Sequence, residues 1–161
     1  MVQIARGNLL IAPAEALVNT VNTTGIMGKG IALQFKQMFP AMFHDYAKAC
    51  RSSQVRLGKM HVYDCGNLTD GPRWIINFPT KGHWRDRSRL ADIEAGLRDL
   101  VVTVRRLGIR SIAVPPLGCG LGGLNWADVR PRIEAVFTSL PEVKVFLFEP
   151  QTETQRSDPR P

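Results

Sequence analysis

A chain of 161 residues, 44% hydrophobic and 22% charged, is long enough to bury one core without staples and has the composition of a globular protein. Its formal charge of +7 is explained equally well by a polyanionic partner and by simple solubility. No apolar run reaches the length of a membrane span and no basic-then-apolar signal opens the chain; three scattered cysteines (Cys50, Cys65, Cys119) and three histidines make no CxxC or HxxxH pair, so a reduced, cytoplasmic protein without a metal site is expected.

In chain order, Val2–Arg6 and Ala16–Val21 read as strands. Gly30–Phe39 follows as a helix, with Ile31, Phe35 and Met38 at helical spacing; it stops at Pro40, and a short second helix is expected over Ala41–Cys50. Met60–Cys65 and Trp74–Phe78 are the next strands. The clearest helix is Arg89–Leu107, whose Leu90, Ile93, Leu97, Leu100, Val101 and Val104 form one stripe, with Ser88 placed to cap its start and Gly108 to end it. Ser111–Pro115 is a strand. Asn125 can cap a last helix, with Asp128 in its first turn and Val129, Ile133, Val136 and Phe137 as its core face, before the final strand Lys144–Phe148. Strands interleaved with covering helices predict a three-layer α/β/α domain over 1–150, followed by a polar, proline-bearing tail or linker over 151–161.

Two glycine clusters fall where a strand gives way to a helix: NTVNTTGIMGKG over Asn19–Gly30 and PPLGCGLGG over Pro115–Gly123. Glycine lets backbone N–H groups approach phosphate oxygens, and a helix N-terminus adds favourable partial charge, so the pair points to anion binding. Neither is a Walker loop, which wants glycine where Thr23 stands and Ser or Thr where Gly30 follows Lys29. The second cluster spells GxGxxG through Gly118, Gly120 and Gly123, with Glu149 ending the next strand. Only one βαβ unit follows it, however, too little for a doubly wound dinucleotide fold.

Between the clusters lies NFPTKGHWRDRSR, Asn77–Arg89. It presents Lys81, His83, Trp84, Arg85, Arg87 and Arg89. Arginines beside an aromatic suit single-stranded nucleic acid, the cations meeting phosphate and the ring stacking on a base; the same pattern also fits a tryptophan packed on the next helix with solvated arginines.

Taken together, GNL at Gly7–Leu9, NTVNTTGIMGKGIALQFK from Asn19, NFPTKGHWR from Asn77 and PPLGCGLGGLNW from Pro115 resemble the macrodomain family, which binds ADP-ribose. Within it they are similar to the branch of antitoxins that reverse thymidine ADP-ribosylation of DNA, and to the related terminal ADP-ribose glycohydrolases. The resemblance runs from Met1 to about Pro150 and implies a mixed central sheet between helices. It implies that Asn8 and Leu9 border the adenine end. Gly28, Lys29, Gly30 and Ile31 would lie along the diphosphate, with Gly25 and Met27 in the same loop. Pro116, Leu117, Gly118, Cys119, Gly120, Leu121 and Gly122 would form the opposing loop. Asn22 would face the distal ribose, with Thr23 nearby. Phe148 flanks adenine or belongs to the core, and Lys29 is either a ligand contact or a solvated charge.

Lys81, beside Thr80, matches the lysine implicated in catalysis in this branch. A charged lysine can protonate the departing base, and a neutral one can attack the opened sugar as a Schiff-base nucleophile; both remain open here. His83 is a candidate for proton handling. The terminal glycohydrolases carry an aspartate where this chain has Gly122. The resemblance therefore implies a hydrolase that removes ADP-ribose from thymine in single-stranded DNA, without metal or redox cofactor, as antitoxin to a DNA ADP-ribosyltransferase toxin. The alternatives are a non-catalytic ADP-ribose reader and a hydrolase of protein-linked ADP-ribose.

Overall fold

The computed structural model describes residues 1–66 and 70–151. Its elements are β1 (Val2–Ala5), a 3-10 turn (Leu9–Ile11), β2 (Ala16–Val21), α1 (Gly30–Met38), α2 (Pro40–Arg51), β3 (His61–Asp64), β4 (Trp74–Pro79), α3 (Leu90–Leu107), β5 (Ser111–Val114), α4 (Trp126–Phe137) and β6 (Lys144–Phe148). Apart from Gln151, the segment expected to be a tail lies outside the described residues.

Side-chain alternation along the strands builds two cores, one on each face of the sheet. Ala16, Val18, Ile76, Phe78, Ile112, Val114, Val145 and Leu147 face α3 and α4, packing against Ile93, Leu97, Val129 and Ile133. Leu17, Val21, Ile75, Ala113, Phe146 and Phe148 face α1 and α2, packing against Phe35, Met42 and Tyr46. The result is the three-layer α/β/α architecture, with a sheet parallel throughout except for the antiparallel edge pair β3–β4. Phe148, 8% exposed, belongs to the core on the α1–α2 side.

Local signals set most element ends. Gly108 closes α3 in the left-handed region at φ 65°. The Asn125 side chain accepts from the Ala127 N–H at 3.0 Å to start α4, with Asp128 in the first turn. Pro40 stands in the first turn of α2, where a missing N–H costs nothing. The expected cap of α3 by Ser88 is not made. Arg89 occupies the cap position without a side-chain bond, and the Ser88 N–H is given to the Gly122 carbonyl at 3.0 Å. That bond turns Ser88 toward the second glycine loop and away from the amides of α3.

The strand order β1-β6-β5-β2-β4-β3 places β5 beside β2, and the chain leaves these two strands in opposite directions. After β2 it runs through α1 and α2 to β3; after β5 it runs through α4 to β6. Such a switch point opens a crevice at the carboxyl ends of the strands. The pairing shows it: β2 stays in register with β4 as far as Val21–Pro79, whereas its register with β5 is Ala16–Ile112 and Leu17–Ala113.

Candidate active site

Both glycine loops begin at this crevice, the first after β2 and the second after β5. The Asn22 side chain organises the first. Its carbonyl oxygen accepts from the Tyr46 hydroxyl at 2.9 Å, the Thr24 N–H at 3.0 Å and the Thr24 hydroxyl at 3.0 Å, while its amide donates to the Ile26 carbonyl at 2.8 Å. Met27 is buried beneath the loop, and Gly28, Lys29 and Gly30 are exposed where α1 begins. Gly30, Ile31 and Ala32 are in the first turn of α1, where N–H groups have no partner within the helix. Gly25, at φ 88°, lies close against α2, a Cβ there standing 3.5 Å from that of Cys50.

The lysine-bearing segment is tied to both loops. The Thr23 N–H and hydroxyl both donate to the Gly82 carbonyl, at 2.8 and 3.1 Å, and the Thr80 N–H donates to Val21 at 2.9 Å. At its other end Ser88 holds Gly122, and the Arg87 guanidinium lies against Gly123, where a Cβ would be 2.8 Å from Nη2. Lys81 is half-buried between these ties, with Thr80 buried beside it. The segment is braced internally by the Asp86 carboxylate, which accepts from the His83 N–H at 2.9 Å, and by His83 Nδ1, which accepts from the Arg85 N–H at 3.0 Å.

In the second loop the Gly118 carbonyl accepts from Leu124 at 2.9 Å, and Gly120 from Gly123 at 3.1 Å. The N–H groups of Gly120, Leu121 and Gly122 are given to no other described residue. Leu117 and Gly118 are buried, Pro116 and Cys119 half-buried, and Gly120 and Leu121 exposed. Burial, with the negative charge of Asp128 adding, pushes the Cys119 thiol up to about 11, so it lines the loop as a neutral thiol.

Outside the crevice, Trp84 is 38% exposed, with His83 at 5.2 Å ring to ring and the Arg85 guanidinium 4.6 Å from its centre. Arg87 and Arg89 are exposed, and none of these three arginines pairs with a described carboxylate. Asn8 is exposed, its side chain accepting from the Leu10 N–H at 3.0 Å, and Leu9 is buried. A separate open cleft of about 980 Å³ lies against the starts of β2 and β4, lined by Ile11, Glu15, Asp70 and Trp74 among others; it brings together none of the expected site residues.

Residues 18–133 match the model of the Macro domain family. The chain is a macrodomain. It is 55% identical over 150 residues to the DNA ADP-ribosyl glycohydrolase of Thermus aquaticus, covering 93% of this chain and 41% of that protein. It is 36% identical to a DNA ADP-ribosyl transferase-DNA ADP-ribosyl glycohydrolase fusion protein of Thermosipho africanus, over 91% of this chain and 41% of the other. Among solved structures it is similar to the macrodomain of Mycobacterium tuberculosis DarG, with a TM-score of 0.92, 55% identity, and 94% and 99% of the two chains covered. It is also similar to Thermosipho africanus DarTG in complex with ADP-ribose, with a TM-score of 0.82, 32% identity, and 94% and 44% covered. The macrodomain thus spans about two fifths of the length of these curated relatives.

Beneath the site the macrodomain holds a polar chain that sequence reasoning missed. Asn19 Nδ2 donates to Asn77 Oδ1 at 3.1 Å, Asn77 Nδ2 to His61 Nδ1 at 3.0 Å, and His61 Nε2 to Asp45 Oδ2 at 3.0 Å. Both asparagines are fully buried. The chain links β2, β4, β3 and α2 under the two segments that carry Asn22 and Lys81. Its signal in the sequence was an asparagine inside each of two strands with no solvent-facing neighbour to explain it. Tyr46, whose hydroxyl burial pushes above its ordinary value, shows in the sequence only as part of a short helix. Among the described residues no helix is long and apolar enough to cross a membrane.

Proposed function

We propose that this macrodomain is a hydrolase that removes ADP-ribose from thymine bases of single-stranded DNA. The observation that carries the reading is the half-buried Lys81, held between two glycine loops by Thr23–Gly82 on one side and Ser88–Gly122 on the other. The activity named for the Thermus relative and the ADP-ribose in the Thermosipho complex support it. The fusion of transferase and glycohydrolase in one Thermosipho protein supports a further step, that the natural partner is a DNA ADP-ribosyltransferase toxin which this activity counters.

The diphosphate lies across the crevice, between the first turn of α1 and the amides of Gly120, Leu121 and Gly122, where partial positive charge is already in place. Gly118 to Gly122 and Gly28 to Ile31 are its two walls. Asn22 and Thr23 border the distal ribose, and Asn8 and Leu9 the adenine end. The scissile bond then lies at Lys81. As an ammonium, Lys81 gives its proton to the departing base while water adds to the sugar carbon and its surplus proton restores the lysine, so the net reaction is hydrolysis. The route through an imine, in which the amine attacks the opened sugar's carbonyl carbon and water later releases it, is less well served. A side chain at Gly122 would overlap the Ser88 hydroxyl and stand 2.7 Å from the Gly118 carbonyl, so that position has no room for a carboxylate to assist the second step. The exposed Trp84 and the Arg85, Arg87 and Arg89 cations continue from Lys81 along the path of the DNA strand.

The test is release of ADP-ribose from an oligonucleotide carrying ADP-ribosylated thymine, run beside ADP-ribosylated protein. Release from the oligonucleotide is expected. Binding of free ADP-ribose with no release from either substrate would make the domain a reader, and release from the protein alone would move the substrate.

A further inference from the structure

Ser88 is 6% exposed, yet its hydroxyl has no hydrogen-bond partner. Leaving a buried hydroxyl unpaired is unfavourable, and alanine would remove that penalty. The oxygen does not sit in an idle place. It occupies the space next to the Gly122 α-carbon, and the Gly118 carbonyl oxygen borders the same space, 2.7 Å from where a Gly122 Cβ would stand. That carbonyl accepts one hydrogen bond, from Leu124, and keeps a second lone pair. The backbone of Ser88 is already fixed to the loop through its N–H, and Lys81 lies on the same segment.

We propose that Ser88 is a positioning residue that latches the second glycine loop onto its anion. When the loop's free amides are drawn to a diphosphate, a small shift of Gly118–Gly122 brings the Gly118 carbonyl into the 2.5–3.0 Å range of an O–H···O bond from Ser88. The bond is made when the anion binds, so it counts toward binding and not toward folding. This rests on the two-loop reading of the diphosphate site.

Ser88→Ala separates the possibilities. Calorimetric titration with ADP-ribose is expected to show affinity roughly tenfold weaker than the parent's, the worth of one hydrogen bond. The melting temperature without ligand should be equal or higher, and in oligonucleotide turnover the loss should fall on KM more than on kcat. An affinity equal to the parent's would overturn the latch while leaving the two-loop site standing. A ligand-free melting temperature that falls together with affinity would make Ser88 a structural residue, and the latch would again be wrong. If the parent itself does not bind ADP-ribose, both the latch and the site beneath it fail.

Discussion

Lys81 is the residue on which the proposed chemistry turns, and its environment gives the test its sharpness. The bonds that hold it are made by the backbones of neighbours, Thr80, Gly82 and Ser88, so removing its side chain leaves the frame in place. Lys81→Ala is expected to keep ADP-ribose binding within a few-fold while release from modified thymine falls by about 10²–10⁴, the usual worth of one positioned proton donor. Lys81→Arg keeps the charge but not an easily given proton, so an active arginine variant would reassign Lys81 to electrostatic stabilisation. His61 offers a second test at this scale. Burial holds its imidazole below its ordinary value, and the nearby Asp45 carboxylate opposes that shift without cancelling it. Asn77 presents an N–H to Nδ1, so protonation would set donor against donor. A folded-state value below the unfolded one, about 6.5, means full stability above that pH and loss as pH falls through the folded value. Urea midpoints of the parent should therefore drop as pH falls below about 6.5, and the difference from His61→Gln should shrink with them. A pH-independent difference would dismiss the buried chain as a source of acid sensitivity.

At the scale of elements, the contact between α3 and β4 rests on Gly96. A Cβ there would overlap the Phe78 ring, standing 2.5 Å from its Cε1. Phe78 is fully buried and lies three residues before Lys81, so this contact sets how α3 seats against the strand that delivers the lysine. Gly96→Ala gains about 1 kcal/mol of helix propensity and loses about 1–3 kcal/mol to overpacking, for a net loss. A lowered melting temperature is expected, partly recovered by adding Phe78→Leu. A more stable single variant would show that the ring moves aside freely. The helix stripes, the capping by Asn125 and the αL stop at Gly108 could all be read from local residues, because each depends on neighbours within one or two turns. Ser88 shows where such reading stops. Its position and type suit a cap, but a backbone bond to Gly122, distant in sequence, turns it elsewhere.

For the whole molecule the decisive quantity is charge. Arg85, Arg87 and Arg89 are exposed beside the crevice and unpaired with any described carboxylate, so their counterions are free to be released on binding a nucleic acid backbone. Affinity for unmodified single-stranded DNA should fall steeply with salt. Replacing the three by glutamine should flatten the slope of log K against log salt by about 0.7 per lost phosphate contact, with little change in free ADP-ribose affinity. Arg87 is the informative member, because it also leans on Gly123 of the second loop. If its single replacement weakens ADP-ribose and leaves the salt slope alone, it serves the loop and not the strand.

The family, the two glycine loops, the lysine between them, the six strands, the first three helices to within a residue and the start of α4 at Asn125 are all legible in the sequence. Those features are carried by short-range pattern: alternation, the helical stripe, and glycine where a backbone must turn or approach an anion. What local pattern leaves open is that the two loops leave the same end of the sheet from neighbouring strands. That follows from β5 lying beside β2 and from the chain departing on opposite sides, a matter of strand order that no local pattern encodes. The tertiary structure alone also paired Asn19 with Asn77 and His61, joined Thr23 to Gly82, and set the Ser88 hydroxyl against Gly122. Each of these pairs is far apart in sequence, and buried polar groups take their partners from whatever the folded sheet brings near.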